Sequence, residues 1–138
     1  MKNIEQLNHS IIEFYDKLAS WEQSVVKEQK FSLAQTHTVE VLGSYGPMRM
    51  KELANRLAIT TGTLTVQVDK LVNAGLIERR PHHSDRRSIL VQLTDTGQAF
   101  YRHHDDLHLH LTQDITAKLS KEECDILLQC FSKMNAEF

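Results

Sequence analysis

Apolar positions in the first thirty residues recur at steps of three and four. They are Ile4, Leu7, Ile11, Phe14, Leu18, Trp21 and Val25. This spacing is typical of one face of an amphipathic helix. Ser32 stands three positions before Gln35, the spacing of a capping box. We therefore expect a second helix that begins after Ser32 and ends within 43–46, before Pro47 stops it.

Two shorter helical patterns follow. Leu53 and Leu57 lie on one face of a helix predicted over about 49–57. After a pause of about three residues, another helix begins near Thr61 and ends before Gly75, which we expect in the left-handed conformation. Two helices joined by so short a turn predict a helix-turn-helix.

The period of the pattern then changes from helix to strand. Residues 76–79 and 88–93 are rich in β-branched or alternating apolar positions, and the polar segment 80–87 separates them. Such a strand, loop and return strand form a two-stranded β-wing. Beyond the wing, one helix begins near Thr94, and another begins after Ser120, which forms a second capping box with Glu123.

The predicted fold class is mostly α, a winged helix-turn-helix. We expect a single domain over 1–138, with a winged lobe over about 32–94. Terminal helices over about 3–29 and 95–136 carry more apolar surface than this lobe can cover. We expect them to form the interface of a homodimer.

Charge is unevenly distributed along the 138 residues. The whole chain has a net charge of −2, whereas residues 45–94 carry eight Lys or Arg and four Asp or Glu. A basic lobe in an acidic chain suits a phosphate backbone as partner. The chain shows no membrane-length apolar run and no signal peptide, so we expect a cytoplasmic protein without a membrane partner. Cys124 and Cys130 are badly spaced for a mutual disulfide.

Three short motifs carry a family resemblance. The segments G-L-I-E-R at 75–79, D-R-R at 85–87 and L-T-x-x-G at 93–97 follow T-T-G-T-L-T at 60–65. In this order and spacing they resemble the MarR family of transcription regulators. The resemblance implies a homodimer with a recognition helix in each major groove and a wing near each adjacent minor groove. It implies no enzyme activity, and the His104–His108 segment lacks the glutamate of the zincin motif.

The candidate DNA contacts lie on the fourth helix and the wing. Small hydroxyl residues at a helix N-terminus can bond phosphates and bases, and a glutamine can make a paired contact to adenine. By resemblance, the aspartate orders the wing and one of the two arginines after it enters the minor groove. The candidates are Thr61, Thr63, Thr65, Gln67, Lys70, Arg79, Asp85, Arg86 and Arg87.

A second candidate site concerns an effector. His104 and His108 are one helical turn apart, a spacing that can chelate a metal. The chain resembles two MarR subgroups, the fatty-acid-synthesis repressors and the zinc-uptake repressors. The second resemblance implies the metal candidates Glu22, His37, His104 and His108, and the same residues with Trp21 could instead line a ligand pocket. No cofactor is required, and either zinc or an acyl group is a possible effector.

The sequence therefore predicts a sequence-specific DNA-binding transcription regulator. We expect a repressor that acts as a homodimer on a pseudo-palindromic operator in double-stranded DNA. The alternative is a dimeric ligand-binding or interaction module without specific DNA binding. Binding that weakens steeply with salt distinguishes the two.

Overall fold

The computed structural model describes residues 2–81 and 89–138. Within them the helices are α1 (Lys2–Lys27), α2 (Leu33–Tyr45), α3 (Met50–Leu57), α4 (Thr61–Asn73), α5 (Asp95–Ile115) and α6 (Lys121–Asn135). The strands are β1 (Met48–Arg49), β2 (Ile77–Pro81) and β3 (Ile89–Leu93). The chain divides into two compact units, Met1–Tyr101 and Arg102–Phe138. The mostly α winged helix-turn-helix predicted from the sequence is confirmed.

The predicted helix boundaries rest on caps that form as expected. The Ser32 hydroxyl accepts from the backbone N–H of Gln35, and the Gln35 side chain accepts from the backbone N–H of Ser32. Ser120 and Glu123 repeat this arrangement at the start of α6. Gly75 has a φ of 81°, so the left-handed turn after α4 is also confirmed.

The sheet has one more strand than the sequence predicted. Its order is β1-β3-β2, and both pairings are antiparallel. The predicted pair of wing strands, β2 and β3, is present, and the short strand β1 was not predicted: Met48 pairs with Val91 and Arg49 with Leu90. A strand of two residues is too short to show an alternating pattern.

The core of the first unit lies between the helix-turn-helix and the sheet. Leu53 of α3, Leu64 and Val68 of α4 and Val91 of β3 are completely buried. Val39 of α2 packs into the same cluster. Burial of these side chains holds α4 against its neighbours along one complete face.

A junction around Thr94 explains the L-T-x-x-G motif. The Thr94 hydroxyl donates to the Gly75 carbonyl at 2.5 Å and accepts from the Gly97 backbone N–H at 3.0 Å. The Thr94 backbone N–H donates to the Leu76 carbonyl at 3.0 Å. A Cβ on Gly97 would overlap the Leu76 carbonyl oxygen. The motif therefore joins the turn after α4 to the start of α5.

A second close approach ties α2 to α5 inside the first unit. The Tyr101 ring lies directly over Gly43, where any Cβ would overlap it. The Tyr101 and Ser44 hydroxyl oxygens are 3.3 Å apart. Phe31 and Phe100 pack edge to face beside them, with ring centroids 5.3 Å apart.

Large apolar side chains remain exposed on the terminal helices of both units. In α1 they are Ile4, Leu7, Ile11, Ile12 and Phe14, and in α6 they are Ile126, Leu127, Leu128, Phe131 and Met134. None of the α6 residues is buried. Among the described residues, every helix is too short or too polar to cross a membrane.

Candidate nucleic-acid interface

Helix α4 presents one polar face because its other face is fully buried. Leu64, Val68 and Leu71 are 0% exposed, which fixes the rotation of the helix about its axis. Four of the five contacts predicted on α4 lie on the outer face and are exposed: Thr61, Thr63, Thr65 and Lys70. Val66 is 56% exposed beside them and can contact a thymine methyl group.

The threonines of α4 differ in what their hydroxyls can still bond. Thr60 caps the helix by accepting from the Thr63 backbone N–H, and its own hydroxyl donates to the Thr63 hydroxyl. Thr63 therefore can direct its hydrogen to a phosphate. The Thr65 hydroxyl donates to the Thr61 carbonyl at 2.8 Å, so its hydrogen is already used. The hydroxyls of Thr63 and Thr65 are therefore not equivalent as hydrogen-bond donors to DNA.

Gln67 is only half exposed, and one end of its amide is turned inward. Its Oε1 accepts from the Thr38 hydroxyl of α2 at 3.3 Å. The amide borders a cavity of about 60 Å³ that Ala34, His37, Leu57 and Ile59 also line. A paired contact to adenine needs both ends of the amide. In this conformation only the NH2 group of Gln67 is available to form a hydrogen bond with DNA.

Arg79 has a partner within the protein. Its Nη2 lies 2.5 Å from Oδ1 of Asp69 and donates to it, which links β2 to α4. The Arg79 side chain is 33% exposed. The structure thus gives Arg79 a positioning contact, while its predicted contact with DNA stays a prediction.

The exposed face of the wing carries a ladder of polar side chains. Arg80 donates to the Gln92 side chain at 3.2 Å, and Gln92 donates to Glu78 at 2.6 Å. The predicted contacts Asp85, Arg86 and Arg87 lie outside the described residues, in the segment that connects β2 to β3.

The candidate effector residues of the first unit lie on two helices, α1 and α2. Trp21 and Glu22 are half-buried on α1, whereas His37 is exposed and borders the cavity beside Gln67. A carboxylate oxygen of Glu40 lies within 4.8 Å of one from Glu22. Glu40 was not among the residues predicted from the sequence, although it is the only charged residue of α2.

The candidate effector residues of the second unit lie together on α5. His104 is 1% exposed and His108 is half-buried. Their ring centroids are 4.9 Å apart, and a nitrogen of each lies within 4.8 Å of the other. The expectation that these histidines share a helical face is confirmed. Neutral imidazoles so placed can bind one metal ion.

Comparison with known proteins agrees with this geometry. Residues 31–89 match the model of the MarR family, a match that includes α2, the helix-turn-helix and β2. Over these residues the chain is similar to the MarR family. The family includes MarR from Salmonella typhimurium, which is 35% identical over 85 residues. That alignment covers 58% of this chain and 57% of the Salmonella protein, so it spans less than two thirds of that relative.

Solved structures of MarR-family proteins share the fold over nearly the whole chain. FabT from Streptococcus pneumoniae in complex with DNA has a TM-score of 0.83 at 22% identity. That likeness covers 96% of this chain and 95% of FabT. A mutant MarR from Escherichia coli in complex with operator DNA has a TM-score of 0.69 at 26% identity. It covers 96% of this chain and 95% of the other.

Proposed function

We propose that this chain is a sequence-specific, DNA-binding transcription regulator of the MarR family. It acts as a repressor, and a homodimer binds a pseudo-palindromic operator in double-stranded DNA. The observation that carries this proposal is α4, whose buried face leaves one fixed polar face outward, within a lobe of net positive charge. A regulator of chromosomal DNA would work in the cytoplasm.

The elements around α4 suit it as a recognition helix in the major groove. Its N-terminus carries the Thr60 cap and the Thr63 hydroxyl, where the helix dipole favours a phosphate. The Asp69–Arg79 ion pair connects the helix to the wing, so groove and wing contacts would keep a set spacing. Arg86 and Arg87 remain the predicted minor-groove contacts.

The proposed dimer is supported by the exposed apolar faces of α1 and α6. A second copy of the chain presents the same faces, so a two-fold axis could bury both sets in one self-complementary interface. The same axis would relate two copies of α4. The operator would then contain two half-sites about one DNA turn apart, or a multiple of that.

Salt-dependent binding to duplex DNA tests this proposal. Lys70→Ala should weaken binding and reduce the slope of log K against log salt by about 1, as loss of one phosphate contact does. The matched control is Lys17→Ala on α1, where Lys17 pairs with Glu13 on the exposed surface. If the affinity of the unmodified protein for duplex DNA does not depend on salt concentration, the alternative is favoured, a dimeric ligand-binding or interaction module without specific DNA binding.

We propose further that a divalent metal is the effector. The support is the close pair of imidazoles of His104 and His108 on α5, whose ring centroids are 4.9 Å apart. Histidine nitrogens are common zinc ligands, and two of them one helical turn apart can hold the same ion.

Zinc titration separates the metal effector from an acyl effector. His108→Ala should weaken zinc binding strongly and remove any effect of zinc on DNA affinity. The matched control, His110→Ala, alters an exposed histidine of the same helix. Zinc binding should also weaken in acid, because coordinating imidazoles must be unprotonated. An effect of an acyl thioester without any effect of zinc would favour the acyl ligand.

A further inference from the structure

Thr38 is a buried side chain that contacts a residue of the proposed recognition surface. It lies in α2 and is 0% exposed, so it cannot touch DNA itself. Its hydroxyl nevertheless reaches the Gln67 side chain, 29 positions further along the chain. Gln67 is the longest uncharged polar side chain on α4 and was the candidate for reading a base.

We propose that Thr38 is a positioning residue that determines which end of the Gln67 amide faces DNA. This inference rests on the proposed function. Because Thr38 donates to Oε1, the carbonyl end of the amide is turned into the protein and the NH2 end outward. Gln67 would therefore act at the DNA surface as a hydrogen-bond donor only.

The position of the Thr38 hydroxyl is itself fixed. Its Oγ1 lies 2.9 Å from the Ala34 carbonyl one turn earlier in α2, a common rotamer-setting contact of threonine in helices. Its single hydrogen is shared between the Ala34 carbonyl and Oε1 of Gln67. The resulting contact with Gln67, at 3.3 Å, is a restraint on orientation rather than a strong bond.

The small cavity beside Gln67 has both apolar and polar walls. Leu57 and Ile59 offer the amide no side-chain hydrogen-bond partner, whereas His37 and Thr38 are polar. Either end of the amide is costly to turn to this side without a partner, and Thr38 is the partner to which it is bonded. Loss of the Thr38 hydroxyl would remove that partner and leave the amide free to rotate.

The orientation has a consequence for base preference. An outward NH2 group can donate to the acceptors of adenine, guanine and thymine in the major groove. The edge of cytosine offers only its N4 amino group there, which is a donor. At the base that Gln67 faces, the protein should therefore discriminate against cytosine, and the paired contact to adenine should not form.

A double-mutant cycle tests this role. The DNA used is an operator sequence obtained by selection. The base that Gln67 contacts is identified as the position at which the Gln67→Ala variant no longer discriminates between bases. Thr38→Val should reduce discrimination against cytosine there by about three- to tenfold, the effect of one neutral hydrogen bond. Affinity for random duplex DNA should not change. In the Gln67→Ala background, Thr38→Val should have no further effect on discrimination.

Two controls separate positioning from a general structural effect. Thr38→Ser keeps the hydroxyl and should keep the discrimination. Thr36→Val alters another fully buried threonine of α2, whose partner is Gln29 rather than Gln67, and should also keep it. Thermal unfolding identifies variants that fail to fold, and Thr38→Ala then replaces Thr38→Val.

The inference is overturned if Thr38→Val leaves the discrimination intact. It is equally overturned if the variant relaxes discrimination to the same extent with and without Gln67. Either result leaves the proposed function standing, provided that the unmodified protein still selects a sequence. Absence of any sequence selection by the unmodified protein would overturn the proposed function itself.

Discussion

The Thr94 hydroxyl and the missing side chain of Gly97 together hold the start of α5 against the turn after α4. The hydroxyl accepts from one backbone group and donates to another, and Gly97 lets the Leu76 carbonyl come closer than any Cβ would allow. The L-T-x-x-G motif is thus a structural junction. It fixes the end of α4, the helix proposed to enter the major groove.

Gly97→Ala should therefore destabilise the protein, although alanine is the better helix former. Overlap with a backbone carbonyl should cost about 1–3 kcal/mol of unfolding free energy, as overpacking does. Denaturant unfolding measures this change. The matched control is Gly62→Ala in α4, where a Cβ meets nothing closer than 4.0 Å and helix propensity alone predicts a gain of up to about 1 kcal/mol. Equal stability of the two variants would contradict the proposed junction.

At the scale of elements, the Asp69–Arg79 pair connects α4 to the wing strand β2. Both side chains are partly exposed, so the pair should contribute at most about 1 kcal/mol to stability. Its greater effect is electrostatic. Arg79 compensates a carboxylate that lies on the exposed side of the helix proposed to enter the groove.

Arg79→Ala should weaken binding to any duplex, because it leaves the Asp69 charge uncompensated beside the phosphates. Adding Asp69→Asn should restore much of the lost affinity, since it removes that charge. Fluorescence anisotropy with random and operator duplexes gives both values. If Arg79 instead contacts DNA directly, the second substitution will not restore binding.

Local signals explain which elements the sequence predicted correctly. Ser32, Ser120 and Gly75 form their capping contacts and turns with residues only a few positions away. The helix ends that they define could therefore be predicted from the sequence. Strand β1 was missed because its pairing with β3 joins residues about forty positions apart. The omission of Glu40 has a related cause, because a helical pattern does not show that Glu40 of α2 lies close to Glu22 of α1. The contact between Gln67 and Thr38 could not be predicted from the sequence either, because it joins two separate helices.

At the scale of the whole molecule, the exposed apolar faces of α1 and α6 predict a dimer. Sedimentation should give about twice the chain mass of 15.9 kDa. Leu128→Lys places a charge on a 68% exposed position of α6 and should favour the monomer. Val66→Lys, at a comparably exposed position of α4, should leave the dimer intact. A stable monomer of the unmodified protein would refute the proposed two-fold arrangement.

Selection from a pool of randomised duplex DNA is the most direct test of the central claim, sequence-specific binding by a dimer. The account predicts enrichment of a pseudo-palindrome whose half-sites lie about one helical turn apart or a multiple of that. Two chains should bind each duplex, and affinity should fall steeply with salt. Recovery of a pool without any shared sequence, or of a single unrepeated half-site bound by one chain, would contradict the account.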